Sequence, residues 1–311
     1  MTARRIRRTT AALLALAGGW SVAAAAQDEQ VIAVPGFADF LAVDGASVWT
    51  TNAGRVERWS RKGKLASVAM TKPCGAMAVD GAALWVADCT ERALVRIDTK
   101  TATITDRIAT GIANPLGELN VVAGAGSIWV ASDDQGVVSR VDPATRRVTA
   151  TIAVAPGTHY LAFGFGSLWT VSSGARRLQR VDPATDAVTQ TIALGAQPGF
   201  LAAGEGGVWV QEQGDGTVAR IDPATNAIAG RVKVGAKLAY GDIDTGGGKV
   251  WLRTTEDQTF VVIDPRTLAI RTRVGKPVGS GALRFTSAGI WTSAHDAHTL
   301  SWWRRPGRIG K

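Results

Sequence analysis

Histidine, cysteine and tyrosine are nearly missing from this chain, with three, two and two residues among 311. So few imidazoles and thiols leave little from which to build a Cys/His metal centre, and no other Cys or His lies near either cysteine in sequence. There is no glycine-rich phosphate loop, no nucleophile elbow and no Cys-x-x-Cys pair. Beyond residue 26 no apolar run is long enough to span a bilayer, which excludes a helical membrane protein for that part of the chain. Low-complexity tracts are also lacking, and nothing marks a second domain.

What the chain has in quantity is tryptophan and glycine, eleven and thirty-six residues, and both recur at a fixed interval. The stretch LAFGFGSLWTVSSGARRLQRVDPATDAVTQTIALGAQPGF, Leu161 to Phe200, aligns without gaps on the forty residues before it and the forty after it. A period near forty is the mark of a repeat architecture. Each unit divides into four short runs. Leu201–Gly204 is apolar and ends in glycine, Val208–Val210 carries the tryptophan, Thr217–Ile221 ends at Asp-Pro, and Ala227–Val234 alternates. Such runs, rich in Val, Ile, Thr and Trp and broken by Gly, Asp and Pro, read as strands and tight turns. In the Asp-Pro-Ala-Thr turn the Asp side chain bonds nearby backbone, and Pro presets φ at the second turn position.

Trp49, Trp85, Trp129, Trp169, Trp209, Trp251 and Trp291 hold one equivalent position. The sequence therefore predicts an all-β fold, a seven-bladed β-propeller with four-stranded antiparallel blades. The last blade runs out of chain after three strands, at Ser301–Arg305. Its fourth is expected from Val31–Gly36, which resembles the outer run Thr151–Gly157. The N-terminal strand should complete the last blade and close the ring, leaving no open edge between the chain ends.

Arg4, Arg5, Arg7 and Arg8, the apolar run Ala11–Ala25 and the small residues Ala24–Ala26 have the pattern of a signal peptide over residues 1–26. Residues 27–311 are then a single propeller domain, expected in the periplasm or secreted. Removal of four arginines lowers the formal net charge from +9 to +5, which gives no reason to expect nucleic acid as a partner. In an oxidising compartment Cys74 and Cys89 should pair. Aligning Val79 with Leu84 across the Asp80-Gly81 turn sets Cys74 directly opposite Cys89.

The repeated Asp-Pro turns lie on one face and read as scaffold. Loops that lead into the inner strands lie on the other face and differ from blade to blade. They carry Phe37, Asp39 and Phe40, then Glu118 and Asn120 after an insertion at Gly111–Gly117, His159 and Tyr160, Phe200, Tyr240 and Asp242, and Arg284. An aromatic mouth with convergent polar groups is the default ligand site. The ligand-binding residues expected are Asp39, Phe40, Glu118, Asn120, Tyr160, Phe200, Tyr240, Asp242 and Arg284. Tyr160 and Tyr240 are expected to share one ligand, with His159 and Asp242 orienting it. The aromatics could instead plug the channel end. Glu118 and Asp242, and the His295-x-x-His298 pattern, are the candidates for a divalent cation, magnesium or calcium.

The pattern GxGSxWV…VsRIDPaTxxvxxtIxvG resembles the forty-residue-repeat propellers that include the YVTN-type proteins and the virginiamycin B (streptogramin) lyases, and it covers essentially the whole chain after residue 26. The resemblance implies the propeller fold and, for the lyases, a catalytic histidine beside magnesium-holding glutamates that opens a cyclic depsipeptide by elimination. The only candidate here for that base is His159. The closely spaced Glu-x-His arrangement is replaced by Arg253, Thr254 and Glu256. The expected function is thus a monomeric binding propeller for a small molecule, peptide or protein, with a metal-assisted lyase or hydrolase as the alternative.

Overall fold

The computed structural model describes residues 28–239, 241–254, 260–275 and 279–311. The proposed signal peptide, Tyr240, Glu256 and Asp257 lie outside these residues. Among the described residues twenty-eight strands form seven four-stranded antiparallel sheets. Six are consecutive in sequence: blade 1 (Leu41–Ala69), blade 2 (Pro73–Ile108), blade 3 (Val121–Ala153), blade 4 (Thr158–Ala193), blade 5 (Pro198–Lys233) and blade 6 (Ile243–Val274); blade 7 joins Leu283–Arg304 to Glu29–Ala33. The fold is a seven-bladed β-propeller. Among the described residues no helix is long and apolar enough to cross a membrane.

Each blade turns on its tryptophan. The seven repeat tryptophans are fully buried. Trp129, Trp169, Trp209 and Trp251 donate their indole N–H to the carbonyl of the glycine ending the inner strand (Gly124, Gly164, Gly204, Gly246), at 3.0–3.1 Å. A buried indole needs such a partner, which is why tryptophan and the preceding glycine recur together. The apolar clusters bridge neighbouring blades: Trp129 and Val138 of blade 3 pack with Leu161, Leu168 and Val181 of blade 4. At the Asp-Pro turns, Asp142 Oδ1 accepts from the N–H of Ala144 (2.7 Å) and Thr145 (3.2 Å). Asp222 repeats this with Ala224 and Thr225.

Ring closure is as expected, though the strand begins earlier. Glu29–Ala33 pairs antiparallel with Thr299–Arg304, Val31 opposite Ser301, and Val34 N–H donates to His298 O at 2.8 Å. The disulfide also forms, with the Cα atoms of Cys74 and Cys89 6.0 Å apart, but the expected register is corrected. Val79 faces Leu84, yet the pairing shifts between Ala78 and Cys74, so Cys74 faces Ala87 and the bridge runs diagonally. Gly75 causes the shift. Its φ of +73° suits glycine, and a Cβ there would overlap the Leu119 carbonyl that accepts from Ala76 N–H at 2.8 Å. The bridge is compatible with an oxidising compartment.

Candidate functional site

Phe40, Tyr160 and Phe200 come from blades 1, 4 and 5, and can meet only at the ring axis. The Phe200 ring centre lies 6.2 Å from that of Phe40 and 4.7 Å from that of Tyr160. Phe40 and Phe200 are buried in one apolar cluster with Ala76. These aromatics plug the axis; they do not line an open mouth.

Beside the plug, on the face of variable loops, lies a cleft of about 650 Å³. Blades 7, 1, 2 and 3 build it. Its rim carries two exposed apolar side chains, Phe37 (47 % exposed) and Leu116 (91 %), and its interior holds Asp39, Phe40, Glu118, His295 and Asp296. The rim is held locally. Buried Asn52 accepts from Phe37 N–H (2.5 Å) and donates to Pro35 O (3.1 Å). The Asp88 carboxylate accepts from the N–H groups of Thr71, Lys72, Thr90 and Glu91 at 3.0–3.2 Å. The Cys74–Cys89 bridge ties down the same wall. Phe37 stacks on His295, ring centres 4.0 Å apart.

The carboxyls are crowded. Burial, then the charges of Glu118, Asp242 and Asp296, push Asp39 up to about 8. Burial and Asp242 push Glu118 up to about 7, opposed by the Tyr160 hydroxyl, which donates to its Oε2 at 3.5 Å. Among the described residues no lysine or arginine pairs with either group, and Lys72 in the cleft wall donates to Pro115 O at 2.8 Å. Near neutral pH this pair therefore holds protons that ordinary carboxyls have lost.

Past the plug, a channel of about 320 Å³ is lined by inner strands and holds Asn120, Asp242, Asp244 and Arg284. Buried Asp242 accepts from Ile243 N–H (2.9 Å) and pairs with Arg284. Burial raises Asp244 to about 6 against the pull of Arg284. Asn120 Oδ1 is buried without a partner. Asp244 escaped the sequence reading because it sits inside an inner strand, where a carboxylate had no expected role.

The expected residues thus divide. Asp39, Phe40 and Glu118 meet at the cleft, Tyr160 and Phe200 form the plug with Phe40, and Asn120, Asp242 and Arg284 line the channel. His159 does not line the cleft; its Nε2 lies 2.8 Å from Asp134 Oδ1. Glu118, Asp242, His295 and His298 do not converge: among the described residues no three His, Cys, Asp or Glu side chains form a metal-sized group. His298 Nδ1 lies 2.6 Å from Gly36 O instead.

No protein-family model and no curated sequence matches the chain. Solved structures do. Virginiamycin B lyase from Staphylococcus aureus superimposes with a TM-score of 0.75 at 14 % identity, covering 89 % of this chain and 99 % of the lyase. A chain of hydrazine synthase from Kuenenia stuttgartiensis gives 0.72 at 13 %, over 88 % and 96 %. A chain of a mitotic checkpoint complex gives 0.75 at 14 %, over 98 % and 99 %. At such identities the likeness is one of fold: the chain shares the propeller with proteins of unrelated activity.

Proposed function

We propose that this chain is an exported binding propeller whose cleft takes a small organic cation, an ammonium or guanidinium carried on an apolar body. The observation that carries the reading is the pair Asp39 and Glu118, two crowded carboxyls with no basic partner, beneath the apolar rim of Phe37 and Leu116. A cation between them relieves their repulsion, and each carboxyl then gives up its proton. Phe37, exposed at the rim, offers a ring face that attracts the same cation. Binding is therefore coupled to proton release and strengthens as pH rises from 6 toward 8. The disulfide supports export. The alternative lyase reading would need His159 as its base, and His159 does not line the cleft.

Thermal shift with arylalkyl amines, their neutral alcohol counterparts, magnesium and calcium, followed by calorimetry in buffers of different ionisation enthalpy, tests the reading. Amines should stabilise the protein and release about one proton on binding, and Asp39→Asn with Glu118→Gln should abolish both effects. Equal stabilisation by the alcohols, or amine binding that survives both substitutions, sinks the proposal. A response to magnesium or calcium alone would turn the pair into a metal site.

A further inference from the structure

On the face opposite the cleft, blades 1 to 5 repeat one joint. The third strand places an arginine directly across from the repeat tryptophan: Arg58, Arg96, Arg140, Arg180 and Arg220. Each guanidinium lies 5.0–5.9 Å from its indole centre. In blades 3 and 4 the arginine then clips the next blade. Arg140 Nε donates to Ser127 Oγ (2.8 Å), and its Nη1 to Pro183 O (2.7 Å) and Asp186 Oδ1 (2.9 Å). Arg180 does the same with Ser167, Pro223 and Asn226.

Between blades 5 and 6 the two side-chain acceptors are gone. Gly207 stands where Ser127 and Ser167 stand, and Leu268 where Asp186 and Asn226 stand. Among the described residues Arg220 Nε is buried with no partner, and the guanidinium keeps one hydrogen bond, Nη2 to Gly206 O at 2.9 Å. A pocket of about 440 Å³ opens there, bounded by Arg220, Arg266, Glu205 and Asp264. Both carboxylates are already engaged. Glu205 accepts from Gly248 N–H at 2.9 Å, and Asp264 from Arg266 N–H (2.8 Å), Thr267 N–H (3.0 Å) and the Arg271 guanidinium.

The joint between blades 2 and 3 meets the same shortage and fills it from within. Ala83 replaces the serine and Arg146 the Asp/Asn. Asp106, on the outer strand opposite Arg96, then sits 3.9 Å from Arg96 Nη1 and 3.6 Å from Arg146 Nε. In blade 5 the residue opposite Arg220 is Gly230, and a side chain there would run into Leu268. Blade 5 cannot supply an anion from that position, and its Glu205 is engaged by Gly248.

We propose that Arg220 and Arg266 form a binding site for a small oxyanion, a carboxylate or phosphate group, that takes the place Asp106 fills three joints earlier. The Arg220 Nη groups and the Arg266 guanidinium offer donors in the geometry that such groups accept. This site is independent of the cleft and of any ligand bound there.

The test is thermal unfolding in sodium phosphate and sodium acetate against chloride at matched ionic strength, on the wild type, Arg220→Gln and Leu268→Asn. At about ten times the dissociation constant, phosphate or acetate should raise the wild-type Tm by about 3 °C. Leu268→Asn restores the missing acceptor and should lose that response while remaining folded. Arg220→Gln should lose it too. A side-chain ¹⁵N spectrum should show the Arg220 Nε resonance moving with the anion in the wild type. Response to one anion and not the other supports the site and names its class. No response in the wild type, or an equal one in Leu268→Asn, overturns the proposal.

Discussion

Replacing Asp39 by asparagine should stabilise the protein in alkaline solution and leave it unchanged in acid. The folded state holds the Asp39 proton to about 8, against 3.8 for the free side chain. Between those values the folded chain binds more protons than the unfolded chain, so stability falls as pH rises through the interval. At ~1.4 kcal/mol per tenfold, the full span corresponds to on the order of 5 kcal/mol. Water reaches the half-buried side chain, and the repulsion from Glu118 is shared by both carboxyls, so the expected loss from pH 5 to pH 9 is about 2 kcal/mol. Asparagine keeps the shape and removes the charge. Asp39→Asn should match the wild type near pH 4 and exceed it by about 2 kcal/mol at pH 9, or about 4 °C in Tm for a domain of this size. Circular dichroism melts of both proteins from pH 4 to pH 9 measure the difference. A difference that does not change with pH, or a wild type that gains stability toward pH 9, would refute the reasoning, because the carboxyl would then already be ionised in the folded state.

Deleting residues 29–35 should lower the melting temperature steeply and produce soluble aggregates on size exclusion, because Thr299–Arg304 would become an open strand edge. Cys74→Ser with Cys89→Ser opens a loop of sequence separation 15 and should cost roughly 3 kcal/mol by urea unfolding; intact mass should show no alkylation of the unreduced wild type. Arg180→Ala removes three side-chain hydrogen bonds at a blade joint and should cost about 2–3 kcal/mol, whereas Arg220→Ala, with one such bond, should cost clearly less in the same assay. Equal costs would show that the clip contributes nothing.

The candidate site was only partly legible. Asp39, Phe40 and Glu118 were found because they interrupt a regular repeat on the variable-loop face. Tyr160 and Asp242 interrupt it too, yet one packs on Phe200 and the other pairs with Arg284 past the plug. In sequence, every loop into an inner strand is equivalent, and nothing local says which side chain tips toward the axis and which toward the face. The Arg220 pocket was missed for another reason. Its signals, Gly207 for serine and Leu268 for Asp/Asn, were present in the repeat alignment, but they lie among turn and strand residues taken as scaffold.

The sequence by itself determined the blade count, the turn chemistry and the closure of the ring. The first two depend on contacts a few residues apart, such as Trp169 with Gly164 or Asp182 with Ala184, and seven repetitions make the pattern unmistakable; closure joins the two ends of the chain and is legible because Val31–Gly36 resembles an outer strand. Tertiary structure alone decided what lies at the axis, which loops share a cleft and where a joint lacks its acceptor. Those outcomes rest on pairs from different blades, such as Ser293 Oγ on Asp39 O, 254 residues apart, or Arg220 against the turn at Leu268. Their geometry follows from how neighbouring sheets pack, and no single repeat contains it.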